Sequence, residues 1–295
     1  MHIAMGSTPD DTLAAFIARA AEDPAVAGLV LSGSQVHDGM PTGHSDYDLH
    51  VILRDRRASE LAGLDWFRSA HLDLVVIELA EFRVRGMPGR PDHFARYSYV
   101  HAEVLLDRLD GTIARILDEK RTLGADEARD AAAGWLDAYV NQAYRSLKSY
   151  RDGRPGLGHL DAAETVPHAL EVLFALHRRV RPYNKYLRWE LERQPLGDAR
   201  WSADRLLPVL RRILGDGDPS TQRALFTGIE RAARDAGHGG VLDSWGTDLD
   251  LLRHSCRQDV SHCSRCSPCA PRALPSNLSI VHLLPPLLSD RRHPP

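Results

Sequence analysis

Two apolar runs separated by a short, Gly-rich connection constrain this chain more than anything else in it. Leu29 to Leu31 leads into Gly33-Ser34, a Gly- and Pro-containing segment follows, and Ser45-Asp46-Tyr47-Asp48 opens a second apolar run ending at Leu53. Runs of this length bounded by turn residues read as strand, turn, loop and strand. Side chains alternate along an extended segment, so Asp46 and Asp48 fall on one face while Tyr47, Leu49 and Val51 fall on the other. His50 is two residues further along the acidic face, as a contact to a bound ligand or as a core filler.

Two carboxylates in one small volume repel each other unless a cation neutralises them. Hard oxygen ligands at this spacing suit Mg²⁺, which takes one or two protein carboxylates and completes its shell with water and substrate phosphates. Upstream, Gly33 lets backbone approach a ligand closely, and Ser34 offers a hydroxyl and an N–H to phosphate oxygens.

Gly33-Ser34, eleven residues, then Asp46-Tyr47-Asp48 resembles the Gly-Ser…Asp-x-Asp signature of the nucleotidyltransferase superfamily, which includes DNA polymerase beta and the aminoglycoside nucleotidyltransferases. Leu72-Asp73-Leu74-Val75-Val76-Ile77 matches that family's third carboxylate, on a later strand. The match covers about the first 80 residues. The resemblance implies an α+β fold: a small mixed-sheet nucleotidyltransferase catalytic domain followed by an α-helical bundle domain. It also implies Mg²⁺ held by Asp46, Asp48 and Asp73, ATP as co-substrate, and nucleotide contacts from Gly33, Ser34 and Ser45.

The order of elements is read as follows. Ser7-Thr8-Pro9-Asp10-Asp11 starts a helix carrying Leu13, Phe16, Ile17 and Ala20. After the acidic strand, Leu61, Leu64 and Phe67 suggest a crossover helix over Ala58 to Ala70, and Leu72 to Leu79 then suits a central strand. Glu81 to Arg96, broken by Gly86, Pro88, Gly89 and Pro91, reads as a loop, and Tyr97 to Leu106 as another strand. The texture turns helical after Gly111. Ile113, Ile116 and Leu117 mark a short amphipathic segment, followed by helices over Ala125 to Tyr150, Ala162 to Val180, Ala203 to Leu214 and Ser220 to Ala236. The expected organisation is a catalytic domain at 1–111, a helical domain at 112–253 and a tail at 254–295.

Arg179 to Glu190 concentrates cations and aromatics at a helix break, a combination able to clamp a triphosphate and stack a base. The run is similar to one in the helical domains of bacterial small-molecule nucleotidyltransferases. By that resemblance Lys185 faces the nucleotide phosphates, with Tyr183 or Tyr186 as neighbour. Asp73, Glu103 and Glu164 are the candidate general bases for the acceptor hydroxyl, Asp73 ranked first.

Composition narrows the partner. Formal net charge is -3, and of 37 basic residues only Lys120, Lys148 and Lys185 are lysines, with no long basic run. That argues against a polymerase or RNA-tailing role, which needs a phosphate-tracking surface, so no nucleic-acid partner is expected. The expected reaction moves a nucleoside monophosphate, AMP from ATP, onto a hydroxyl of a small molecule such as an aminoglycoside, and releases pyrophosphate. A protein-modifying antitoxin and a non-catalytic nucleotide-binding module are the alternatives. The start of the chain shows no secretory pattern and no apolar run reaches membrane-spanning length, so a cytoplasmic location is expected. Cys256, Cys263, Cys266 and Cys269 include a Cys-x-x-Cys-x-x-Cys run, a conceivable metal site, in an otherwise Ser-, Pro- and Arg-rich tail expected to be disordered.

Overall fold

Helix α1, Pro9–Glu22, opens with a reciprocal cap: the Asp11 N–H donates to Thr8 Oγ1 at 3.1 Å, and the Thr8 N–H donates to Asp11 Oδ2 at 3.2 Å. The computed structural model describes residues 8–254, so the Cys-rich tail lies outside the described residues. Strand β1, Val26–Ser32, and strand β2, Tyr47–Leu53, are the two apolar runs, and β3 is Leu72–Glu78. Helix α2, Leu79–Val84, and strand β4, Glu103–Asp107, complete this part. The sheet is mixed, in the order β3-β2-β1-β4: β1 is antiparallel to β2 and β4, and β2 is parallel to β3.

Both faces of this sheet are covered. Leu29, Leu49, Val51, Leu72 and Leu74 pack with Phe16 and Ala20 of α1 on one side. Val30, Ile52 and Ile77 pack on the other side with Phe82, Tyr99 and helix α3, Thr112–Arg121. The change of texture at Gly111 coincides with the start of α3, yet Ile113, Ile116 and Leu117 belong to the core on the sheet.

Helices α4, Ala125–Arg151, and α5, Pro155–Leu176, form a long pair closed by the turn at Gly153. Helix α6, Leu187–Arg193, α7, Ala203–Asp216, and α8, Pro219–Asp235, pack around it with the short α9, Gly239–Asp243, and α10, Leu249–Arg253. Their core joins Leu136, Tyr139, Leu170, Phe174, Leu206, Leu210, Phe226 and Ile229. The fold is α+β, a small mixed sheet followed by a helical bundle. Among the described residues no helix is long and apolar enough to cross a membrane.

Four local expectations are corrected. The segment expected as a crossover helix forms two 3₁₀ turns, Arg56–Ala58 and Glu60–Leu64. Three-residue steps such as Leu61 to Leu64 fit a 3₁₀ helix as well as an α-helix, and here the chain takes the tighter turn. Strand β3 is an edge strand rather than a central one, and its outer side is partly covered by residues 66–69, with the Leu74 N–H donating to the Phe67 carbonyl at 2.9 Å. The expected loop after Glu81 holds α2 and a 3₁₀ stretch, His93–Tyr99, so β4 begins at Glu103 and not at Tyr97. Helix α5 starts seven residues before Ala162, with Pro155 in its first turn, where a missing N–H costs nothing.

Candidate active site

Strand register builds the acidic site. Ser32 of β1 pairs with Asp48 of β2, which pairs with Asp73 of β3, so the three stand in one row on one face of the sheet. Asp46 lies just before β2, and its charge acts on both Asp48 and Asp73. Burial, reinforced by Asp46 and Asp73, pushes the Asp48 carboxyl up to about 6, against the opposing pull of Lys185 and Arg68. Asp73 is raised as well, by burial and by Asp46, and Arg68 Nε at 3.6 Å offsets part of that.

Gly33 is there because of Asp48. Its φ of 76° lies in the left-handed region, and a Cβ added at that position would fall 1.8 Å from Asp48 Oδ2. No side chain larger than hydrogen fits between the turn and the carboxylate. The 3₁₀ turn Gly33–Val36 follows directly, and Ser34 within it is buried. Ser45 caps the turn before β2, its hydroxyl accepting from the Thr42 N–H at 2.9 Å.

From the helical part, Lys185 sits in the 3₁₀ turn Asn184–Tyr186 with its Nζ 5.1 Å from the centre of the Tyr186 ring. Its charge acts on Asp48 and on His37. Tyr186 is buried and stacked on His37, with ring centroids 3.9 Å apart and planes 7° from parallel, so one of its faces is occupied within the chain. Tyr183 is the more exposed aromatic of the pair.

The other two base candidates stand apart. Glu103 is exposed on β4 and pairs with Leu31, one residue out of step with Ser32, so it belongs to the opposite face of the sheet. Glu164 lies on α5, where it accepts a short hydrogen bond from Gln142. His50 is buried against Tyr99 and Phe82 as a core residue, and burial drives its pKa down to about 3.

Sequence reasoning singled out the run from Arg179 to Glu190 but missed the group that its two end residues form with His37, Tyr97 and His101. Tyr97 Oη donates to Glu190 Oε1 at 2.8 Å, and His101 Nε2 contacts the same oxygen at 2.5 Å. Arg179 pairs with Glu190 Oε2. Nothing in the sequence tied His37, Tyr97 or His101 to that run.

The donor set bears on a divalent cation. Among the described residues no group of three or more His, Cys, Asp or Glu side chains is placed to hold a metal ion, so Asp46, Asp48 and Asp73 do not form the three-carboxylate ligand set expected from the sequence. Magnesium does not need one, because one or two carboxylates and the phosphates of a substrate suffice. A half-buried Asp48 beside two further carboxylates, facing a lysine, fits that chemistry.

No family model matches this sequence, and no curated protein matches it. Among solved structures, the chain is similar to a nucleotidyltransferase-like protein from Exiguobacterium sibiricum 255-15. The two are 13% identical, with 83% of this chain and 78% of that chain covered at a TM-score of 0.41.

Proposed function

We propose that this protein is a Mg²⁺-dependent nucleotidyltransferase that moves a nucleoside monophosphate, AMP from ATP, to a hydroxyl of a small molecule, with aminoglycosides among the candidate acceptors. The observation that carries the reading is the row Ser32, Asp48, Asp73, with Gly33 folded tightly over Asp48 and the charge of Lys185 reaching the same carboxylate.

In this reading Asp46 and Asp48 hold the cation, with Asp73 beside them. When bound, the magnesium supplies charge neutralisation for the phosphates in the transition state. The Gly33-Ser34 turn presents backbone N–H groups to the outer phosphates, and Lys185 adds a positive charge from the helical side. Asp73 takes the proton from the acceptor hydroxyl as its oxygen bonds to the α-phosphorus. The bond from that phosphorus to the pyrophosphate oxygen breaks, and pyrophosphate leaves with the electron pair. The raised affinity of Asp73 for protons favours this role over that of a fully ionised surface acid.

The test is pyrophosphate release from Mg²⁺ and ATP across a panel of aminoglycosides and other hydroxylated acceptors, wild type against Asp48→Asn. Release with a particular acceptor should fall by roughly 10³-fold in the variant, the scale of losing one electrostatic contact to the transition state. Equal turnover by Asp48→Asn would overturn the assignment of the acidic row.

A further inference from the structure

Glu190 is only 2% exposed and ends no exposed salt bridge. Burial alone would favour its neutral form, but hydrogen bonds from His101 and Tyr97 and the charge of Arg179 outweigh that and hold its pKa below the ordinary glutamate value. A buried carboxylate satisfied in this way adds little net stability over a well-packed apolar residue, so its contribution is geometric.

The geometry leads to the acidic site. The Tyr97 hydroxyl that contacts Glu190 is also 3.1 Å from His37 Nε2. On its other side the His37 ring places Nδ1 2.7 Å from the Gly33 carbonyl. A carbonyl only accepts, so the proton is on Nδ1 and Nε2 is left as an acceptor, and the single Tyr97 hydroxyl proton is shared between Nε2 and Glu190 Oε1. A chain of contacts thus runs from Glu190 through Tyr97 and His37 to the backbone of the turn that is folded over Asp48. Helix α6 grips the same segment elsewhere: Trp189 Nε1 donates to the Asp38 carbonyl at 2.9 Å, and Arg193 reaches Asp38 Oδ2 at 2.6 Å. Tyr186, stacked on His37, carries Lys185 as its neighbour in sequence.

We propose that Glu190 is a positioning residue that fixes the Gly33 turn and Lys185 relative to each other, so that both address one bound nucleotide triphosphate. This rests on the nucleotidyltransferase reading for its ligand, but not for the coupling itself. Removing the carboxylate frees Tyr97 and His37, and the carbonyl of Gly33 loses its partner. Nucleotide binding weakens while the acceptor chemistry at Asp73 is untouched.

The experiment compares wild type with Glu190→Gln, Glu190→Asp, Tyr97→Phe and the Glu190→Gln/Tyr97→Phe double variant. Hydrogen exchange over residues 33–38 is measured without nucleotide, and KM for Mg·ATP and kcat with it. Glu190→Gln and Tyr97→Phe should each speed exchange of this segment about tenfold and raise KM about tenfold, with kcat within about twofold. Glu190→Asp should recover part of the loss, and the double variant should match the worse single one, because both break the same chain. Unchanged exchange and KM in Tyr97→Phe, which deletes one hydroxyl and keeps the packing, would overturn the proposal even if Glu190→Gln failed to fold. So would a drop in kcat alone. Altered exchange in a wild-type background that never binds Mg·ATP would retain the coupling and count against the functional reading instead.

Discussion

Asp48 and Glu190 are two acids tied to one turn, the first directly against Gly33 and the second through Tyr97 and His37, and their surroundings are inverted. Glu190 is the more buried, yet it holds its proton less tightly than an ordinary glutamate, because Tyr97, His101 and Arg179 all point at it. Asp48 is the less buried, yet burial and its neighbours Asp46 and Asp73 push it up to about 6. One carboxylate is compensated by the chain, and the other is placed among like charges with a lysine and an arginine only partly opposing them. The fold thus satisfies one acid from within the chain and leaves the other raised by burial and like charge, the difference that the proposed roles of the two residues require.

The comparison is sharpest in its largest expected effect. Glu190→Ala takes the carboxylate from the half-buried Arg179, which keeps its bond to the Gln194 carbonyl, and leaves His101 and Tyr97 facing a cavity, so it should cost about 3–5 kcal/mol in urea unfolding. Asp48→Ala, which relieves repulsion, should cost far less. Equal losses at the two positions would erase the distinction between them.

Gly33→Ala probes the seam between the two regions. Placing a Cβ at a φ of 76° and against Asp48 Oδ2 should cost about 2–3 kcal/mol. Adding Asp48→Ala removes the carboxylate from the contact but not the backbone penalty, so about 1–2 kcal/mol should remain in the double variant. A double variant as unstable as Gly33→Ala alone would mean that backbone conformation, and not Asp48, dictates the glycine.

The two regions also differ in how far the sequence announces them. The acidic row is nearly local: alternation puts Asp46 and Asp48 on one face, and the third acid lies in the next apolar run, so the motif is visible before any pairing is known. Strand register then adds what alternation cannot, that Ser32, Asp48 and Asp73 share one row and that Glu103 falls on the opposite face. The Glu190 cluster draws on residues 37, 97, 101, 179 and 190, brought together from the first turn, the 3₁₀ stretch before β4 and two sides of a helix break. No spacing rule connects them. The crossover segment fails for a different reason, since i, i+3 steps belong to both helical periods and only Gly63 and the strained Trp66, with a φ of 63°, side with the tighter one.

The smallest effect is the most specific to Asp48. Its carboxyl has a pKa of about 6 in the folded chain against an ordinary 3.8, so between those values the native state binds more protons than the unfolded one. Stability therefore falls as pH rises from about 4 to about 6 and levels off above that. The full shift corresponds to about 3 kcal/mol, and partial solvent access reduces it to about 1–2 kcal/mol. Asp48→Asn, which removes the charge and keeps the shape, should accordingly be more stable than wild type by about 1–2 kcal/mol at pH 7.5 and equal to it near pH 4. Adding Mg²⁺ at pH 7.5 should raise the melting temperature of wild type and leave that of Asp48→Asn unmoved, because the cation relieves a repulsion the variant no longer has. A variant that gains stability at pH 4 as much as at pH 7.5 would owe the gain to packing, and the contrast with Glu190 would then be one of shape and not of charge.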